Sequence, residues 1–308
     1  SCSCCCFRLI VMNSKIKKIS EINEDSKKIN SKSETFNIFS KSQLFTVKWE
    51  SYFQVYDKIF KKYKNQKITF VEVGVSSGGS LFIWREYFGK NARIIGIDLN
   101  PEAKKLEKYG FEIFIGNQSD ENFWRNFYEK VGNIDVLLDD GGHKNIQQIT
   151  TVHNSLRNIN NGGVIVIEDT HTSYLKKFKN PSYFSFINYC NKIIENLHKR
   201  CELIGKSNNI YTSKIWSINF YESIVVINID TEKCFKSSMV FNTDNWAAEN
   251  DYRYNEYFSG VKKFINKNLG FLNKTKITRK IIRKLLYKNL LIELYEKIKI
   301  FRIFNNLK

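Results

Sequence analysis

Short apolar runs alternate with stretches of helical periodicity through the middle of the chain. The β-branched and apolar run Ile68–Val75 reads as a first strand, Ser76–Ser80 as a turn, and Leu81–Phe88 as the start of a helix. Ala92–Leu99 then reads as a strand, Pro101–Lys108 as a short helix, Phe111–Ile115 as a strand and Asp120–Val131 as a helix. Asp135–Asp140 is the next strand, and Asn145–Leu156 a helix with Ile146, Ile149, Val152 and Leu156 on one face. Gly162-Gly163 opens a strand that ends at Glu168-Asp169. Five such strand–helix alternations predict a parallel, doubly wound sheet. After a helix near Tyr183–Leu203, Lys214–Tyr221 and Ser223–Ile229 alternate about a short turn, which is a hairpin at the sheet edge. The expected fold class is α/β: a doubly wound, mostly parallel seven-stranded sheet with an antiparallel terminal hairpin, plus a helical basic C-terminal extension.

The flanks differ in texture. Residues 1–40 are expected to form a flexible arm, with 1–11 read as preceding a true start at Met12, and 12–40 rich in Lys, Ser and Asn. Helical spacing begins near Phe45, with Trp49, Phe53, Val55, Tyr56 and Phe60 available for one face. Residues 41–230 make the main domain, and 231–308 an aromatic segment and a basic helical tail.

Charge sharpens that division. The net charge is +18, yet residues 262–308 hold 14 Lys/Arg against Glu293 and Glu296. Any attraction to acidic partners therefore belongs to the tail. There, Leu286, Leu290, Leu294, Ile298 and Phe301 form an apolar stripe bordered by Lys and Arg. Packing on the main domain or in a homo-oligomer is the first reading of residues 278–304. Peripheral contact with an anionic membrane is the second, and nucleic acid a distant third. The N-terminal cysteines lack zinc-like partners, and the other three are scattered. Those features point to reduced thiols and a cytoplasmic chain, with membrane association at the inner face under the second reading.

The chemistry sits at the strand ends. Glu72-Val73-Gly74-Val75-Ser76-Ser77-Gly78-Gly79-Ser80 places glycines where a strand turns into a helix, but its G-x-x-x-G-G spacing is not the pyrophosphate-binding fingerprint. Asp98 ends the second strand about 20 residues on, where a carboxylate can accept from both hydroxyls of a ribose. Gln118 and Ser119, after the third strand, can frame an adenine. Together these predict S-adenosylmethionine, with Glu72, Gly74, Gly78, Gly79, Ser80, Asp98, Gln118 and Ser119 as its contacts. The plainer alternative is that Asp98 and Asp120 only cap helices. Two further strands end in acid pairs, Asp139-Asp140 before Gly141-Gly142-His143, and Glu168-Asp169. Neighbouring strand ends lie about 4.8 Å apart, so their carboxylates can converge on a hard cation.

From about Trp49 to Ile229 the chain resembles the metal-dependent sugar O-methyltransferases that act on macrolide antibiotics, and proteins often labelled cephalosporin hydroxylases. The matching text is Trp49, Tyr52 and Tyr56, Val71–Val75 with Gly78-Gly79-Ser80, Trp84, Tyr87-Phe88, Gly96-Ile97-Asp98, Gly116–Asp120, Asp139–His143, Ile167-Glu168-Asp169 and Thr172-Ser173-Tyr174. Gly142 and Thr170 stand where family members often have Ser and Leu. The resemblance implies a Rossmann-like class I methyltransferase fold and S-adenosylmethionine as donor. It further implies Mg²⁺ (or Mn²⁺) on Asp140, Glu168 and Asp169, with His143 as base. Three carboxylates suit such an octahedral cation independently of the resemblance. Strand alternation turns Asp139 away from Asp140, so Asp139 is expected beside the donor in a supporting role. His171 and Tyr174 are candidate contacts for a sugar-containing acceptor. The expected function is methyl transfer to a sugar hydroxyl of a glycan or glycosylated metabolite. A non-sugar hydroxylated acceptor is the nearest alternative. A basic nucleic-acid-binding protein on the same fold is disfavoured by acids at its centre. No pair of histidines and a carboxylate supports a hydroxylase.

Overall fold

The computed structural model describes residues 16–178, 182–204, 208–243 and 290–306, and single positions at 263, 267 and 280. Contacts divide the chain into two units, residues 1–238 and 239–308.

The first unit corrects the expectation of a flexible arm over its described part. Helix α1 (Glu24–Asn30) is capped by Asn23, and α2 (Glu34–Lys41) by Ser33, each side chain accepting a backbone N–H of the first turn. Asp57 adds acceptors for the Glu34 and Thr35 N–H groups. Phe36 and Ile38 are buried, and the Phe36 ring meets Phe53 of α3 (Tyr52–Phe60) edge-on at 5.1 Å. A buried side chain of this size contributes about 1.5–3 kcal/mol. The polar composition of 12–40 is thus that of capped, one-sided helices. Residues 1–11 lie outside the described residues.

The alternation then runs as the apolar pattern predicts: β1 (Thr69–Val73), α4 (Gly79–Phe88), β2 (Arg93–Asp98), a 3-10 stretch (Pro101–Tyr109), β3 (Glu112–Ile115), α5 (Glu121–Val131), β4 (Ile134–Asp139), α6 (Asn145–Ser155) and β5 (Ile159–Ile167). Helices α7 (Phe186–His198) and α8 (Ile210–Lys214) precede the hairpin β6 (Ile215–Tyr221) and β7 (Ile224–Ile229). Among the described residues these strands form one seven-stranded sheet, ordered β3-β2-β1-β4-β5-β7-β6. β1 to β5 are mutually parallel, and β7 is antiparallel to β5 and β6. The winding reverses between β1 and β4, where open sheets of this kind hold ligands at the strands' carboxyl ends.

The two-residue period of the strands sorts the side chains by face. Phe70, Val136, Leu138, Val164 and Val166 pack towards α2, α3 and α4. Val71, Val73, Leu137, Ile165 and Ile167 pack with Trp124, Phe127 and Val152 of α5 and α6. Continuing the alternation past the strand ends sends Glu72, Asp140 and Glu168 to the first face, and Asp139 to the second.

In the second unit, α9 (Leu290–Asn305) is the described helix. Leu294 and Phe301 of the predicted stripe are exposed there, while Leu286 lies outside the described residues. No described helix is long and apolar enough to cross a membrane.

Candidate active site

The turn after β1 packs tightly. Gly74 and Gly78 have φ of +87° and +85°, a region that favours glycine, and a Cβ on Gly74 would fall 2.2 Å from the Asp140 carbonyl oxygen. The backbone at Asp140 therefore rests directly on the turn. At Gly79 a Cβ would meet the Phe45 and Leu44 carbonyls at 2.6 and 2.9 Å, so this glycine makes room for the strap 42–50. Glu72 and Ser80 are also buried: Glu72 accepts from Ser80 Oγ at 2.6 Å and Trp84 Nε1 at 3.1 Å. Among the residues assigned to the donor, Glu72, Gly79 and Ser80 thus form the foundation of the turn.

Asp98, at the end of β2, accepts from the Ser76 N–H at 2.9 Å and the Asn100 N–H at 2.8 Å. Each oxygen keeps a lone pair, so it can still accept from a ribose. Asp120 does cap α5, through the Asn122 N–H. Gln118 is engaged at both ends of its amide. Its amide donates to both Asp139 oxygens at 3.0 Å and to Thr151 Oγ1, and accepts from the Gly142 N–H at 2.8 Å. It ties the β3 loop to the β4 loop, and Ser119 beside it is partly exposed.

On the other side of β4 the acids converge. His143 Nε2 stands 3.4 Å from Asp169 Oδ2 and 4.0 Å from Asp140 Oδ1. These three residues offer ligand atoms within 4.8 Å of one another, a donor set that fits a divalent cation. Glu168 lies beside them but outside this set. Both its oxygens accept from Lys48 Nζ, at 2.9 and 3.1 Å, and one also accepts from Tyr56 Oη. Lys48 also reaches Asp140 Oδ2 at 2.7 Å and Glu72 at 3.9 Å. Asp169 Oδ1 accepts from Tyr52 Oη at 2.7 Å and Trp49 Nε1 at 2.9 Å, leaving Oδ2 for His143. His143 and Asp169 both sit in the left-handed region, with φ of 57° and 53°. The first of these turns is held by Thr172 Oγ1, which donates to the His143 carbonyl at 2.8 Å. His143 Nδ1 is buried and without a hydrogen-bond partner among the described residues. His171 packs edge-on to Trp49, with Nδ1 3.9 Å from Asp169, and Tyr174 is exposed at the rim.

Three carboxylates, Glu72, Asp140 and Glu168, share one ammonium, while Asp169 faces His143 instead. Burial raises the Glu72 carboxyl to about 7, against the pull of Lys48 and Ser80. Burial likewise pushes Asp140 and Glu168 above the usual carboxylate range. Asp169 goes the other way: burial would raise it, but the facing His143, the Tyr52 hydroxyl, His171 and Trp49 outweigh that. Lys48 is held protonated, because the carboxylates of Asp140, Glu168 and Glu72 overcome the penalty of burial. His171 is lowered by burial, with Asp169 opposing.

Lys48, and the polar roles of Trp49, Tyr52 and Tyr56, escape the sequence reading. In the sequence Tyr56 registers as part of an apolar helix face, and Tyr52 and Tyr56 as part of the family-like text, with no polar role for either. Their hydroxyls were the available signal, since a buried phenol needs a partner.

Strand order, switch-point geometry and terminal hairpin define a class I, Rossmann-like methyltransferase fold. Residues 71–170 match a family profile described as a methyltransferase domain. In particular, the chain is similar to O-methyltransferases named for rhamnosyl and olivosyl substrates. It is 27% identical over 163 residues to the 8-demethyl-8-alpha-L-rhamnosyl tetracenomycin-C 2'-O-methyltransferase of Streptomyces olivaceus, covering 49% of this chain and 43% of that one. It is 31% identical over 134 residues to the L-olivosyl-oleandolide 3-O-methyltransferase of Streptomyces antibioticus, covering 41% and 34%. The chain thus spans less than half the length of these relatives. The fold also matches the MycE methyltransferase of the mycinamycin pathway, solved with Mg, SAH and mycinamycin VI, at a TM-score of 0.58 and 21% identity over 72% of this chain and 57% of that one.

Proposed function

We propose that the chain transfers a methyl group from S-adenosylmethionine to a sugar hydroxyl, with Mg²⁺ or Mn²⁺ held by Asp140 and Asp169, and Glu168 joining them once freed from Lys48. The observation that carries the reading is the convergence of Asp140 Oδ1, Asp169 Oδ2 and His143 Nε2 at the switch point. Support for the donor comes from the left-handed Gly74–Gly78 turn at the end of β1 and from the spare lone pairs of Asp98. Support for the acceptor class comes from the similar enzymes, whose names specify sugar hydroxyls.

A sugar hydroxyl holds its proton tightly at neutral pH. A divalent cation, when bound, would stabilise the developing alkoxide. His143 would take the proton, its ring fixed by burial and by the turn that Thr172 secures. As the oxygen bonds to the methyl carbon, the carbon–sulfur bond breaks and its electron pair leaves with S-adenosylhomocysteine. The task left to the protein is to align oxygen, carbon and sulfur. Tyr174, exposed, and His171, beside Asp169, would contact the apolar face of a sugar.

Calorimetry of the full chain with S-adenosylmethionine and Mg²⁺, followed by methyl-transfer assays on glycosylated acceptors, tests the reading. Binding of both and turnover of a glycoside are the expected results. A wild-type chain that binds no donor would sink it.

A further inference from the structure

The reaction leaves the Lys48 ammonium without a task, although it is the most deeply committed cation in the site. Its side chain is 3% exposed and bonds Asp140 and Glu168 at 2.7–3.1 Å. Glu168 Oε1 is filled by Lys48 and Tyr56, and Oε2 could offer a metal its remaining lone pair only against the charge of the ammonium already bound there. A divalent ion on the other oxygen of Asp140 would also face that ammonium across a single carboxylate, where like charges repel.

We propose that Lys48 is an internal counter-ion that competes with the divalent cation for Glu168 and Asp140, so that loading the cation displaces Lys48 and loosens the strap 42–50. This rests on the reading of Asp140 and Asp169 as cation ligands. The strap is made to let go. Among the described residues no backbone–backbone hydrogen bond holds 43–48, and Leu44 and Phe45 are exposed. Its polar anchors in the site are Lys48 and the Trp49 indole, and the latter holds only Asp169 Oδ1. Lys48 keeps the acids neutralised and oriented until the cation arrives.

The test is Mg²⁺ and Mn²⁺ binding by calorimetry on the full-length wild type, Lys48→Met and Lys48→Arg. Removing the competitor in Lys48→Met should tighten cation binding about tenfold or more, whereas Lys48→Arg should stay within about threefold of wild type. In the wild type, amide exchange over 42–50 should quicken when Mg²⁺ replaces chelator. Unchanged or weaker binding in Lys48→Met overturns the competition, and so does a strap whose exchange ignores the cation. The exchange result decides alone if Lys48→Met does not fold. If neither wild type nor Lys48→Met binds a cation, the ligand reading itself fails and the competition with it.

Discussion

Asp139 and Asp140 are consecutive acids at the end of one strand, and they meet opposite fates. Asp139 turns towards α6 and is satisfied by neutral donors: the Gln118 amide, Thr151 and the Gly141 N–H at 3.0 Å. Asp140 turns towards the strap and α3, where carboxylates outnumber the one ammonium. A buried acid supplied with enough dipoles is a structural joint. Buried acids short of positive charge are poised to take up a cation. The difference between the two faces therefore separates scaffold from chemistry within a single dipeptide.

The sharpest way to break this contrast is Asp140→Ala. Methyl transfer should fall about 10⁴-fold, with Mg²⁺ binding lost and donor binding kept, because Asp98 and the glycine turn are untouched. Initial rates and calorimetry on one preparation read all three. Retained cation binding would place the ligands elsewhere. His143→Ala comes next, with a fall of about 10³-fold and cation binding within severalfold of wild type. If the cation is lost instead, the imidazole is a ligand and the base must be sought among the carboxylates.

Glu72 tests the charge shortage through pH. Its carboxyl is held at about 7 by burial, against an ordinary 4.5. Between those values the folded chain keeps a proton that the unfolded chain has lost, so this group's contribution to stability falls as pH rises through the window. The loss is on the order of 3 kcal/mol. Glu72→Gln cannot titrate and should escape it. Its stability relative to wild type should therefore grow between about pH 4.5 and 7, as read by urea unfolding. Parallel curves would mean that Lys48 neutralises Glu72 fully.

The sheet and both acid pairs were legible because strand residues declare themselves locally, by β-branched runs ending at polar turns. Opposite orientations for Asp139 and Asp140 followed from the period alone. Lys48 was not legible. It reaches Asp140 and Glu168 from 92 and 120 residues away, out of a segment with no regular structure. Helices α1 and α2 were hidden by composition, since their caps and one-sided apolar residues look like a polar arm. The bonds of Gln118 to Asp139 and Gly142 are equally invisible in the sequence, because an amide's partners depend on which loops meet, which no local pattern encodes.

The Gln118 tie carries the smallest predicted effect. Gln118→Ala removes the donor to both Asp139 oxygens and the acceptor for the Gly142 N–H. Leaving those groups unpaired in a buried place should cost about 2 kcal/mol of stability. Cation affinity should stay within about twofold, because that face of the sheet does not supply the ligands. Donor affinity should fall only modestly, since Asp98 and the glycine turn are intact. A large, selective loss of S-adenosylmethionine binding without loss of stability would place Gln118 at the adenine. It would also mean that the Asp139 face belongs to the chemistry after all.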